Sequence, residues 1–133
     1  ISARKIKQRF NQIKEFEELL SENGTVIRKF FLHISKDEQK QRLEERICDP
    51  EKRWKFDIHD LEERELWAKY TEAFEDVLSA TSTDCAPWYV IPANHKWYRN
   101  LIVAEHIVAA VESMKLKTPT PPEGIDFDTL KIE

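Results

Sequence analysis

Apolar residues recur at helical spacing in three parts of the chain. In residues 5–22 they are three or four positions apart, which indicates an amphipathic helix that ends at Asn23-Gly24. A second, long helix is predicted to begin at Asp60, and a last helix is predicted to be capped by Asn94. The three apolar stripes are Ile6, Phe10, Ile13, Phe16 and Leu20; Leu66, Trp67, Tyr70, Phe74, Val77 and Leu78; and Trp97, Leu101, Ala104, Val108 and Val111.

Two short segments are apolar at nearly every position. FFLHI at 30–34 and APWYVIPA at 86–93 predict buried strands of the parallel type, because a strand covered on both faces needs no polar alternation. Between them, Ser35 and Glu38 have capping-box spacing, in which each side chain can accept from an unpaired backbone N–H. This predicts a helix from Lys36 to about Cys48. The order of elements indicates an α/β fold with two parallel strands.

The composition indicates a single folded domain that carries little net charge. The chain has 133 residues, 41% of them hydrophobic, and a net charge of −4. The mild charge gives no basis for a nucleic-acid or membrane partner, and no apolar run approaches the roughly 18 residues of a membrane helix. Two isolated cysteines and the lack of a signal-peptide pattern favour a reducing, cytoplasmic location. The absence of an initial Met suggests a piece of a longer protein.

The familiar catalytic motifs are absent from the sequence. It contains no C-x-x-C or H-E-x-x-H spacing for a metal and no G-x-S-x-G nucleophile turn. Gly24 and Gly124 are its only glycines, which excludes a complete G-x-x-x-x-G-K-[ST] phosphate loop within these residues. We therefore expect neither catalytic residues nor metal ligands in this chain.

Basic residues cluster on the helix after Ser35 and in the connection that follows it. Arg42 and Arg46 are one helical turn apart, so their guanidinium groups project from the same face. Guanidinium groups bind phosphate oxygens through paired hydrogen bonds, and lysine supplies a point charge. The pattern predicts a flap over phosphates, although ordinary ion pairs with Glu38, Glu45 or Asp49 are the alternative. The cations of the connection are Lys52, Arg53 and Lys55, next to the aromatic residues Trp54 and Phe56.

The second strand is followed by the turn Ala93-Asn94-His95-Lys96-Trp97. Open α/β sheets bind ligands at the carboxyl ends of their strands, so this turn is a candidate binding segment. Trp97 has two possible roles that the sequence leaves open, packing in the core or stacking against a nucleobase.

Several blocks in a fixed order resemble the C-terminal half of the polyphosphate kinase 2 family, from about Arg9 to about Val111. The blocks are RFNQIKEFEELLSENGT, KFFLHISKDEQKQRLEER, DPEKRWKF, DLEERELWAKYTEAFEDVL and TSTDCAPWYVIPANHKWYRN. The resemblance implies a magnesium-dependent P-loop kinase that transfers phosphoryl groups between polyphosphate and nucleotides. It also implies part of a three-layer P-loop kinase-like core, helix-rich, with a helical lid.

The resemblance implies a role for each candidate site residue. The lid would span about residues 42–64, with Trp54 and Phe56 as its hydrophobic anchors. The nucleotide would lie near the turn after the second strand. The candidate phosphate-binding residues are Arg42, Arg46, Lys52 and Arg53, and the candidate nucleotide-binding residues are Asn94, Lys96, Trp97 and Arg99.

The family's phosphate loop and magnesium-linked aspartate would precede the residues present here. We therefore interpret residues 1–117 as the C-terminal part of a kinase domain and residues 118–133 as a Pro-rich extended tail. We expect the full-length protein to be the enzyme, this chain alone to be inactive, and a homo-oligomer to form. The alternative is a non-catalytic helical interaction module that has kept the fold.

Overall fold

The computed structural model describes residues 1–125 and 127–132. A two-stranded parallel sheet pairs β1 with β2, in register from Lys29 opposite Trp88 to His33 opposite Pro92. The predicted helix-rich α/β fold with two parallel strands is thus confirmed. The elements are α1 (Ala3–Glu22), β1 (Lys29–His33), α2 (Lys36–Cys48), a 3₁₀ turn (Arg53–Lys55), α3 (His59–Glu65), α4 (Trp67–Thr81), β2 (Trp88–Pro92) and α5 (Lys96–Ser113).

Helices lie on both faces of the sheet. On one face, the Phe31 ring in β1 packs against Phe74 of α4 at 4.8 Å between centroids, and α1 packs on α4. On the other face, His106 of α5 packs against Tyr89 of β2 at 4.2 Å. Because successive side chains of a strand point to opposite faces, neighbouring aromatic residues contact different helices. The result is a partial three-layer arrangement.

The start of α2 is as predicted, but only half of the capping box forms. The Ser35 hydroxyl accepts from the Glu38 backbone N–H at 3.1 Å. The Glu38 carboxylate does not return to Ser35; it accepts from Arg42 Nε at 2.7 Å. The Ser35 backbone N–H donates instead to Asn94 Oδ1 at 3.0 Å. Asn94 was expected to cap α5, but that helix starts after His95, whose side chain makes no capping bond.

The single long helix predicted from Asp60 is two helices. α3 begins at His59, whose backbone N–H donates to the Asp57 carboxylate at 2.9 Å, and the helical path breaks at Leu66. The Arg64 guanidinium donates to the carbonyl of Lys36 at 2.6 Å, which holds α3 against the start of α2. α4 packs on the sheet instead, with Phe74 against Phe31. A tertiary contact, rather than a Gly or Pro signal, accompanies this break.

Two expectations about burial are wrong. Within the described residues, Ile91 is the only buried residue of the two strands, which were predicted to be fully covered. The predicted apolar stripe of α5 faces solvent. The face of this helix that points inward consists instead of Ile102, Val103, His106 and Ala110. α5 is apolar on most of its circumference, so periodicity alone did not identify the face that packs on the sheet.

A buried ionic contact joins four elements at the amino end of the sheet. Lys29 Nζ donates to Glu17 Oε2 and to the carbonyl of Thr81, each at 2.7 Å, and both charged side chains are only 12% exposed. The same ammonium lies 5.2 Å from the centre of the Trp88 ring, and the Trp88 indole N–H donates to the Thr81 hydroxyl at 2.9 Å. α1, β1, α4 and β2 are therefore fixed together here.

The region predicted to be an extended tail contains no helix or strand in its described residues, 118–125 and 127–132. Residues 126 and 133 lie outside the described part. The boundaries of the kinase-like portion and the tail stay a prediction. None of the helices in the described chain is both long and apolar enough to cross a membrane.

The isolated 133-residue chain is expected to self-associate. Only five hydrophobic residues are buried in the described chain, whereas Leu32 and Val90 of the sheet and much of α5 are exposed. An uncovered apolar surface and an open strand edge favour association. Sedimentation velocity over a wide concentration range should reveal species larger than the monomer. Val90→Lys, which places a charge on the exposed sheet face, should reduce them; a strict monomer at every concentration would contradict this expectation.

Candidate functional site at the carboxyl edge of the sheet

The carboxyl ends of the two parallel strands lie side by side, and their following turns are bonded to each other. The Ala93 backbone N–H donates to the carbonyl of His33 at 2.8 Å, extending the ladder by one bond. Beyond it, Ser35 and Asn94 exchange two hydrogen bonds, 3.0 Å from the Ser35 N–H to Asn94 Oδ1 and 3.3 Å from Asn94 Nδ2 to Ser35 Oγ. The start of α2 is thus tied to the turn that precedes α5.

Arg42 makes a second connection between the same segments. Its Nε donates to Glu38 Oε1 at 2.7 Å, and its Nη2 donates to the carbonyls of Ala93 at 2.7 Å and Asn94 at 3.3 Å. We call these contacts the Arg42 bridge. The ion-pair alternative raised by the sequence thus applies to Arg42, with Glu38 as its partner.

The other candidate phosphate-binding residues lie further along the predicted lid segment, residues 42–64, and their contacts are more exposed to solvent. Arg46 Nη1 is 3.7 Å from Asp60 Oδ2, longer than a hydrogen bond, and both side chains are 40% exposed. Lys52 Nζ donates to the carboxylate of Asp49 at 2.7 Å, also on the surface. Arg53 Nε donates to the carbonyl of Ile47 at 2.9 Å, near the end of α2.

The Asp49–Lys52 contact shifts the ionisation of both groups in favour of their charged forms. The hydrogen bond from Lys52, followed by the Glu51 backbone N–H, lowers the pKa of Asp49. The same bond raises the pKa of Lys52. Both groups are charged at neutral pH even at their ordinary pKa values, so the shifts leave this ion pair intact over a wider pH range.

The two aromatic residues predicted to anchor the lid differ in their surroundings. Trp54 is 78% exposed, with Lys55 Nζ 5.0 Å from its ring centre, so it does not pin the segment to the buried core of the described chain. Phe56 is half-buried just after the 3₁₀ turn. An anchoring role for this pair stays a prediction, and for Trp54 it would need a contact beyond those in this structure.

The candidate nucleotide-binding residues continue from the bridged turn into α5. Lys96 is the first residue of α5, and Trp97 is 69% exposed, so it does not pack in the core of the described chain, and its stacking against a nucleobase stays a prediction. Arg99 is half-buried and donates to Asn100 Oδ1 from Nε at 3.1 Å and from Nη2 at 2.8 Å. It lines an open cavity of about 600 Å³ between α5 and β1.

The structure therefore brings some predicted residues together and leaves others apart. Arg42 and Asn94 meet directly, whereas the contacts of Arg46, Lys52 and Arg53 are confined to the lid segment. Three contributors were missed as site residues: Ser35, Glu38 and Arg64. The capping pattern pointed to Ser35 and Glu38 as helix-start residues, and Glu38 was also raised as an ordinary ion-pair partner, but neither was predicted to shape the site.

The fold and this edge define a part of an α/β domain of the kinase type, with basic residues at the carboxyl ends of parallel strands. The family model described as polyphosphate kinase 2 matches residues 1–119. The chain belongs to the polyphosphate kinase 2 family.

Three similar proteins agree with this assignment. The chain spans less than half of the length of two of them. The AMP/ADP-polyphosphate phosphotransferase of Meiothermus ruber is 55% identical over 115 residues, which are 86% of this chain and 43% of that protein. A crystal structure of polyphosphate kinase 2 from Arthrobacter aurescens superimposes with a TM-score of 0.89 at 41% identity, covering 95% of this chain and 44% of that one. An uncharacterized protein of Leptolyngbya boryana is 53% identical over 116 residues, 87% of this chain and 85% of that one.

Proposed function

We propose that this chain is the lid and nucleotide-side portion of a polyphosphate:nucleotide phosphotransferase. The observation that carries the proposal is the arrangement at the carboxyl edge of the sheet. There the start of the lid helix α2 is bonded directly to the turn that leads to Trp97. The names of the full-length relatives supply the substrate class, polyphosphate and a nucleoside mono- or diphosphate.

The chemistry of phosphoryl transfer fits the residues at this edge. The reaction consists mainly of positioning donor and acceptor in line and neutralising oxygen charge, so groups that are neither acids nor bases can accelerate it. Arg46, Lys52 and Arg53 are cations on a segment with a Pro50-marked break, where a hinge can operate. Moving them over a bound phosphate chain would replace surface ion pairs with charge-assisted bonds to phosphate oxygens.

The remaining machinery is proposed to lie in the rest of a longer enzyme. The residues present include no phosphate loop. Among the described residues, no group of three or more His, Cys, Asp and Glu side chains is placed to hold a metal ion. Magnesium in phosphoryl-transfer sites is usually held by one or two carboxylates together with substrate phosphates, and we propose that the carboxylates for the magnesium implied by the family lie in the rest of the enzyme. The exposed strand and helix faces are the surfaces that such a portion would cover.

The decisive experiment compares the full-length gene product with the 133-residue chain. Each is incubated with magnesium, polyphosphate and either ADP or AMP, and the nucleotides are separated by chromatography. We expect turnover of about 1 per second or faster from the full-length protein and none from the chain. Turnover by the chain alone would overturn the fragment proposal, and an inactive but folded full-length protein would overturn the activity.

A second candidate function is the non-catalytic interaction module. It is favoured by one observation: the Leptolyngbya relative is matched over 85% of its length, so a protein of similar extent exists in this family. This candidate predicts that the complete gene product is about as long as the Leptolyngbya relative. It also predicts that the product binds neither polyphosphate nor nucleotide. Calorimetric titration with each ligand would separate the two functions. With the first candidate function, the phosphotransferase, we also propose a homo-oligomeric state and a cytoplasmic location.

A further inference from the structure

Arg42 differs from the other candidate phosphate-binding residues in what it contacts. Arg46, Lys52 and Arg53 contact groups within the lid segment itself, whereas Nη2 of Arg42 reaches two backbone carbonyls more than fifty positions away in sequence. Its side chain is only 22% exposed, and its partner Glu38 is equally covered at 21%. The guanidinium is oriented at Nε by a carboxylate and at Nη2 by the turn after β2.

These contacts leave Arg42 poorly placed to move onto a phosphate chain. Redirecting it would strip Glu38 of its ion-pair partner and would leave the Ala93 carbonyl without this donor. Breaking a partly buried pair by removing one partner is costly, whereas releasing an exposed pair such as Arg46–Asp60 costs little. The geometry thus separates Arg42 from the residues proposed to bind phosphate.

What the Arg42 bridge does is fix the turn before α5 relative to α2. The carbonyls that it holds belong to Ala93 and Asn94, which are three and two residues before Lys96 and four and three residues before Trp97. The Ser35–Asn94 exchange holds the same turn from its other side. A small displacement of this turn would move the face of Trp97 away from the nucleotide that we propose it contacts.

We infer that Arg42 is a positioning residue for the nucleotide, acting through the carbonyls of Ala93 and Asn94. This inference rests on the proposed function. Loss of the Arg42 side chain should weaken nucleotide binding and spare the polyphosphate side, because the other three candidate phosphate-binding residues keep their own contacts to Asp60, Asp49 and the Ile47 carbonyl.

The test is a set of steady-state measurements on the full-length protein, with ADP and polyphosphate varied separately. Arg42→Met should raise KM for ADP about tenfold, with kcat and KM for polyphosphate changed less than about twofold. Arg42→Lys should raise KM for ADP only about threefold, because an ammonium group can still donate to a carbonyl but lacks the rigid planar fork that fixes the geometry of the guanidinium bonds. Lys40→Met is the matched control: Lys40 lies on the same helix in an exposed pair with Glu44 at 3.7 Å and should leave both KM values unchanged.

Each other outcome overturns the inference in a recognisable way. A rise in KM for polyphosphate alone would make Arg42 a phosphate contact. Unchanged KM values with a reduced active fraction would make it purely structural. If Arg42→Met does not fold, Glu38→Met decides, because it removes the carboxylate that orients the guanidinium; it should raise KM for ADP about threefold, and no change would reject the inference. An inactive wild-type protein would instead reject the proposed function.

Discussion

Replacing Arg46 with alanine in the full-length protein is expected to lower kcat by roughly ten- to a hundredfold while the melting temperature stays unchanged. Its guanidinium is at the end of α2, 3.7 Å from the Asp60 carboxylate and 40% exposed, so little holds it in its present position. A charge-assisted hydrogen bond formed as the lid closes would contribute about 1.5–3 kcal/mol, which corresponds to this loss in rate. Steady-state kinetics and thermal unfolding on the same preparations measure kcat and the melting temperature.

Lys40→Ala provides the matched control for this experiment. Lys40 is a cation on the same helix, two turns before the end of α2, and its pair with Glu44 is at the surface. The Lys40→Ala substitution should leave kcat unchanged. If Arg46→Ala instead keeps full kcat and loses only a fraction of a kcal/mol of stability, as for an ordinary surface pair, then Arg46 does not contact the transferred phosphoryl group.

Lys29→Met is expected to destabilise the full-length protein by about 3 kcal/mol, because it removes one partner of a largely covered ion pair. The substitution would leave the Glu17 carboxylate, which is 12% exposed, without its cation and the Thr81 carbonyl without this donor. Urea titration followed by far-ultraviolet circular dichroism gives the free energy of unfolding. kcat of the folded fraction should be unchanged, since Lys29 is at the opposite end of β1 from the candidate site.

A double-mutant cycle isolates the contribution of the Lys29–Glu17 pair. Glu17→Met together with Lys29→Met should cost less than the sum of the two single changes, because the double variant buries no unpaired charge. Lys40→Met, which removes an exposed cation, should change stability by less than about 0.5 kcal/mol. A Lys29→Met effect as small as that of Lys40→Met would show that the network at the amino end carries little of the stability.

The parts of the fold that depend on local sequence were predictable. α2 begins and ends where the Ser35 cap and Asp49-Pro50 indicate, since both signals act within a few residues. The two parallel strands followed from apolar runs too short for helices. The break at Leu66 was not predictable, because it accompanies the contact of Arg64 with the carbonyl of Lys36, which is 28 positions away.

The candidate site was predictable in residue type and only partly in geometry. The pairing of Arg42 with Glu38 was one of the alternatives raised, because the two are one helical turn apart. Its carbonyl partners are 51 and 52 positions away, and the Asp60 partner of Arg46 follows a proline and a 3₁₀ turn. Such contacts are set by how the elements pack. The inward face of α5 was predicted wrongly for a similar reason. The helix is apolar on most of its circumference, so several of its faces could have covered the sheet.

The Lys29 network and the Arg42 bridge lie at opposite ends of the same five-residue strand pair, about 13 Å apart at the usual rise per residue. Effects of substitutions at that separation, with no shared partners, usually add independently. Laboratory evolution of a different nucleotide preference can therefore alter the turn before α5 and offset any loss of folding stability by strengthening contacts at the other end. In the full-length protein, the proposed nucleotide selectivity and the folding stability should therefore be adjustable separately.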